Sequence, residues 1–146
     1  MSDLEDILRL GRFRLDREGR ALADANRIAQ GAAYKAREAA VKAHFAQARI
    51  RAVREAGYRR LVGTRLQAGD TETIALDVEL AREEARIAAG LAEKAREAAK
   101  AAAEERDAAR SKFLSAQARV ERLEAITREE HLKAIRKSEW REEADQ

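Results

Sequence analysis

From Ile74, steps of seven residues reach only apolar side chains: Ala81, Ala88, Ala95, Ala102, Ala109, Ala116 and Leu123. The interleaved positions are Val78, Ala85, Ala92, Ala99, Arg106, Phe113 and Val120, apolar throughout except for Arg106. Two apolar positions in seven, held this long with charge between them, describe a helix lying along another helix. Because most of this seam is alanine, the backbones can approach closely while each layer buries little. A buried CH2 contributes about 0.8 kcal/mol, so an alanine layer stabilises much less than a leucine layer. The expected product is a slender rod of marginal stability that acts by touching other proteins.

Composition agrees with that reading. Charged residues make up 39% of the chain and aromatics 4%, and proline is absent. That mixture suits long helices or coiled coil and is poor material for a globular core. It also suits disorder; the sustained heptads favour helix, with full order depending in part on a partner. The absence of cysteine excludes disulfides, zinc thiolate sites and thiol catalysis, and fits a reducing cytoplasm. No apolar run approaches the roughly 20 residues of a membrane span, so direct membrane insertion is not expected. The opening Met-Ser-Asp-Leu-Glu-Asp lacks the basic-then-apolar pattern of a signal peptide, so the protein is expected to stay where it is made.

Charge divides unevenly along the chain. Residues 1–68 hold 15 Lys/Arg and 8 Asp/Glu (+7), residues 69–146 hold 15 and 19 (−4), and the two sum to the net +3. A basic and an acidic helix attract when laid side by side, although exposed charges are each worth little. The fold class expected is all-α: two long helices forming one antiparallel coiled-coil hairpin over residues 1–146, monomeric when free.

The first helix is expected over about residues 3–65, capped by Ser2 or Asp3, with Glu5 and Asp6 at the positive end of its dipole. Its seam is Leu4, Leu8, Leu15, Leu22, Ala25, Ala29, Ala32, Ala36, Ala39, Ala43, Ala46, Ile50 and Val53. Gly11 and Glu18 interrupt this series, which predicts fraying at the N-terminal end. Gly57, Gly63 and Gly69 bracket the helix end. The tip is expected at 66–71, with Gly69 left-handed and Asp70 or Thr71 capping a second helix over about 72–142. Pairs Glu124–Arg128 and Glu129–Lys133 stand at i,i+4 to reinforce it. Beyond Leu123 the seam degrades through Thr127 and Glu130, and the acidic end from Trp140 is expected to be ragged.

No constellation for catalysis stands out. His44 and His131 lie far apart in sequence and outside any metal-binding motif. No Gly-rich phosphate loop or Gly-x-Ser-x-Gly is present. The expectation is no enzyme, no catalytic residue, no metal and no cofactor. Arg9, Arg12, Arg14, Arg17 and Arg20 form a basic series along the first helix. It reads as a solvated face or a contact for an acidic protein; nucleic acid is not expected as a partner, since stacking aromatics and a recognised module are missing.

Two apolar stripes conflict with the seam. Tyr34, Val41 and Phe45 fall on one face, roughly opposite the alanine series at 100° per residue. Leu76, Leu80, Ile87 and Leu91 fall within about 60° of one another and roughly 130° from Val78, Ala81, Ala85 and Ala88. Either the four aliphatics are the seam near the tip, or they form a strip for docking another protein. The alanine phase runs unbroken past both ends of the strip, which favours docking.

The run from Leu8 to Ala25, Leu-Arg-Leu-Gly-Arg-Phe-Arg-Leu-Asp-Arg-Glu-Gly-Arg-Ala-Leu-Ala-Asp-Ala, contains Arg-x-x-Arg-Ala-x-x-x-Ala from Arg17. It resembles the opening of the YscO proteins of type III secretion systems. The stretch Gln117-Ala-Arg-Val-Glu-Arg-Leu-Glu through Thr127-Arg-Glu-Glu-His and the acidic tail is also similar. Length and two-helix plan agree with that family and with its flagellar counterpart FliJ. The Ala-rich middle departs from the bulkier residues common in such coiled coils.

The resemblance implies a cytoplasmic stalk at the cytoplasmic face of a secretion apparatus, a protein-transport and virulence component. Such a hairpin, like the central stalk of rotary ATPases, would associate with the secretion ATPase, the export-gate cytoplasmic domain and, in some systems, secretion chaperones. The family lends no catalytic motif, so no residue inherits a role. Expected partner contacts are Tyr34, Val41, Phe45, Leu76, Leu80, Ile87 and Leu91, with the series including Arg9, Arg12, Arg17 and Arg20 on acidic surface. The alternative from another class is a structural dimeric coiled coil or stator-type subunit of an ATPase or filament. Analytical ultracentrifugation separates a hairpin monomer from a parallel dimer of twice the length.

Overall fold

A computed structural model describes residues 2–146. It contains α1 (Ser2–Leu61) and α2 (Asp70–Ala144), in contact along a helical hairpin, with no strand among the described residues. Alanine, arginine, glutamate and lysine all favour helix, and no proline interrupts either run. Acidic residues open both helices, Asp3 and Glu5 in α1 and Asp70 and Glu72 in α2, while Arg59 and Arg60 close α1. Each sign complements the dipole at its end.

Among the described residues the helices pack as two units, Ile28–Ala103 and residues 2–27 with Glu104–Gln146. In the first, Gly57 meets Ile74 and Arg49 pairs with Glu84, so the helices run antiparallel. In the second, Gly11 meets Val120 and Leu123 while Gly19 meets Phe113, which gives the same sense.

The bend is earlier than the sequence suggests. α1 stops at Leu61 rather than 65, the connection is 62–69 rather than 66–71, and α2 runs from Asp70 to Ala144 rather than 72 to 142. Gly63 is the cause: it adopts φ +81°, a conformation that only glycine takes without strain. The Thr64 N–H and Oγ1 donate to the Leu61 carbonyl at 3.2 and 2.9 Å, closing the end. Gly69, at φ +93°, is left-handed as expected. The cap differs from expectation: the Gly69 carbonyl accepts both the N–H and the Oγ1–H of Thr73 at 3.0 Å. Asp70 stands in the first turn, its Oδ2 accepting the Gln67 N–H at 2.8 Å.

The heptad positions of both helices form the seam. Ile74, Val78, Ala81, Ala85, Ala29 and Ala102 are buried in the tip unit, and Leu8 and Val120 in the other. The remaining alanine positions are half-buried, and among the described residues no large side chain is fully enclosed. Closely apposed small residues leave solvent at both edges of a two-helix layer, so burial is shallow by geometry.

Gly11 and Glu18 do not break the seam. Gly11 is buried, and a Cβ there would stand 3.4 Å from Leu123 Cδ1 and 3.5 Å from Val120 Cγ2. Next to the half-buried Glu18, a Cβ at Gly19 would stand 3.5 Å from the Phe113 ring. Small residues of α1 thus receive large ones from α2, and α1 is helical from Ser2. The end of α2 is also helical, to Ala144, although every side chain from Arg128 onward is exposed. The expected i,i+4 pairs differ as well. Glu124 reaches across to Arg12 at 3.3 Å while Arg128 Nε donates to its backbone carbonyl, and Lys133 pairs with Glu130.

Candidate docking surfaces

In the tip unit, packing settles which apolar face lies inside. Val78, Ala81 and Ala85 are buried, whereas Leu76 and Leu80 are 66% and 64% exposed and Ile87 and Leu91 similarly open. The reading in which these four leucines and isoleucines form the seam is therefore excluded. On α1, Tyr34, Val41 and Phe45 are exposed too. The His44 and Phe45 rings meet edge-on, with centroids 6.0 Å apart.

Register brings much of the two stripes to one flank. Arg49 and Glu84 form an ion pair across the helices at 3.5 Å, which marks one edge of the hairpin. Phe45 lies four residues before Arg49; Leu80 lies four before Glu84, Ile87 three after it and Leu91 seven after it. Separations of three, four and seven keep a helical face, so these four side chains share the flank of the ion pair. Val41 lies four before Phe45 and Leu76 four before Leu80, extending each stripe outward, and Tyr34 stands one heptad before Val41. Leu80 also lines an open groove of about 320 Å³ with Arg49, Val53, Arg60, Asp77, Ala81 and Glu84. The arrangement can do what a mixed interface does, with apolar anchors beside charges that fix register.

The basic series on α1 is exposed at Arg9, Arg12, Arg14, Arg17 and Arg20. Arg12 is held by Glu124 and Arg17 lies 3.6 Å from Glu18. Arg14 and Arg17 join Lys112 and Arg119 of α2 around a groove of about 440 Å³, lined also by Gly11, Ser111, Ser115 and Ala116. Pairing of α1 with α2 concentrates four cations there, a grouping invisible in either helix alone. On α2 of the tip unit, Arg96 bonds to Glu93 at 2.8 Å, and that hydrogen bond and charge raise its pKa above the ordinary value.

Other exposed apolar side chains escaped the sequence reading. Val62 and Leu66 stand out at the tip with Tyr58 beside them; an earlier bend, signalled by Gly63, would have revealed them. Ile7, Leu10 and Phe13 are exposed near the start of α1, and Leu132, Ile135 and Trp140 near the end of α2. Their signal was the mismatch with the four-three spacing. Among the described residues no group of three or more His, Cys, Asp or Glu is placed to hold a metal, and no helix is long and apolar enough to cross a membrane. No family model matches the chain, and neither a curated protein nor a solved structure does.

Proposed function

We propose that this chain is a stalk component of a type III secretion system, docking the secretion ATPase and the export-gate cytoplasmic domain at the cytoplasmic face of the apparatus. Secretion chaperones are further partners on this reading. The observation that carries it is the placement of bulk in the tip unit: apart from Ile74 and Val78 the buried side chains are alanine, while Leu76, Leu80, Ile87, Leu91 and Phe45 stand outside. Contiguous exposed aliphatics of this kind mark partner surfaces. The likeness of both ends to the YscO proteins supplies the system, and the hairpin fold agrees with it.

Replacing Leu76, Leu80 and Ile87 together by serine tests the proposal. The triple variant is expected to keep its helicity and thermal midpoint, since none of the three side chains is buried. In a pull-down with the ATPase and the gate domain its binding should disappear. Wild-type chain that captures neither protein would remove the assignment; a triple variant that unfolds would show the three residues to be core.

A further inference from the structure

We propose that the end of α2 is an arm that seats in the basic groove of a second copy of the chain, joining two hairpins antiparallel and tail to tail. The inference does not rest on the secretion reading. Its first basis is the unpaired end of α2: Thr127 is half-buried against the seam, and every side chain from Arg128 to Gln146 is exposed although the helix continues. An isolated surface segment gains little from being helical unless something lies along it.

Charge identifies what lies along it. The segment Glu139–Asp145 carries Glu139, Glu142, Glu143 and Asp145 against a single Arg141. Within its own chain none of these four acids makes an ion pair among the described residues. The groove lined by Arg14, Arg17, Lys112 and Arg119 has one acid, Glu18, and only Arg17 is engaged by it. An acidic helix end, residues 139–145, and a cationic groove are therefore both unmet within one molecule.

Length makes the two coincide. With a twofold axis beside residue 129, residue 142 of one copy lies level with residue 116 of the other, since 129 is midway between them. The arm's acidic end, residues 139–145, then spans levels 119–113, and the groove is lined by α2 residues 111–119. At 1.5 Å per residue the arm from 130 to 146 reaches about 25 Å, enough to cover the overlap. Glu139, Trp140 and Glu143 fall within about 100° of one another on the helix. That face carries Trp140, 79% exposed, towards Leu10 and Phe13, which are exposed on α1 beside Arg14. Ser111, Ser115 and Ala116 line the groove on its α2 side, small side chains that let another helix come near. The contact is isologous, each copy giving one arm and one groove, as closed dimers require.

Complementary charge reversals test this on the full chain by sedimentation equilibrium. One variant carries Arg14→Glu, Lys112→Glu and Arg119→Glu; another carries Glu139→Lys and Glu143→Lys. All five side chains are exposed, so helicity by circular dichroism should not change. Wild type is expected to dimerise, and each variant alone to self-associate more weakly by over about a hundredfold, like charges now facing each other. An equimolar mixture of the two should recover the dimer, because both of its arm–groove contacts regain opposite charge. A chain ending at His131 should be monomeric. Wild type that stays monomeric, a dimer that survives removal of residues 132–146, or a mixture that does not recover overturns the proposal.

Discussion

Replacing Ile74 by alanine is expected to lower stability by about 2–4 kcal/mol, the usual cost of emptying a buried aliphatic site. Ile74 is 6% exposed and lies in the layer of Gly57, so no neighbouring side chain can move in to fill the space. The same pair gives a sharper result through a double-mutant cycle. A Cβ at Gly57 would stand 2.9 Å from Ile74 Cγ1 and 3.1 Å from Cγ2, both close to the backbone of a branched residue that cannot swing aside. Gly57→Ala gains about 1 kcal/mol of helix propensity, but the crowding offsets or exceeds it, so the single substitution should be neutral to destabilising. In the Ile74→Ala background the same substitution should stabilise by about 1 kcal/mol, propensity then acting unopposed. Thermal midpoints of the four proteins measure the cycle; strict additivity would show that the contact is not tight.

Leucine at Ala81 or Ala85 is expected to cost about 1–3 kcal/mol each through overpacking. Both alanines are 4–5% exposed, and Val53 and Ile50 line the same grooves as Ala81 and Ala85 respectively. Leucine and alanine are both good helix formers, so propensity does not obscure the result. Ala101→Leu, at an exposed position, is the control and should stay within about 0.5 kcal/mol of wild type. Urea denaturation of the three variants distinguishes a narrow seam from a heptad that merely happens to be alanine: if Ala81→Leu stabilises, the helices stand farther apart than described.

The seam was legible because a four-three spacing held from Ile74 to Leu123 needs no knowledge of the partner helix. Exposure of Leu76, Leu80, Ile87 and Leu91 followed from the same spacing, as bulky residues out of phase with it. What pairs across the hairpin was not legible in either helix. Gly11 looked like a flaw in α1 until Val120 and Leu123 proved to lie against it, and the sequence alone offered no reason to join Gly57 to Ile74. Register likewise assembles Arg14 and Arg17 with Lys112 and Arg119, and it places Phe45 on the flank of Leu80. The bend was misplaced because Gly63 and Gly69 are equally good sequence candidates for ending a helix. Both take positive φ, one closing α1 and the other opening α2.

The meeting of glycine with bulk has a mechanical corollary. A uniform alanine track would let one helix creep past its mate by a heptad with little penalty, since every rung is alike. Ile74 seated at Gly57 acts as a pawl: displaced by seven residues along α1, it would strike Ile50 instead of a gap. Phe113 at Gly19 supplies a second catch in the other unit. Each unit is thereby keyed against axial creep, so a push or a twist delivered to it is passed on and not lost as slippage.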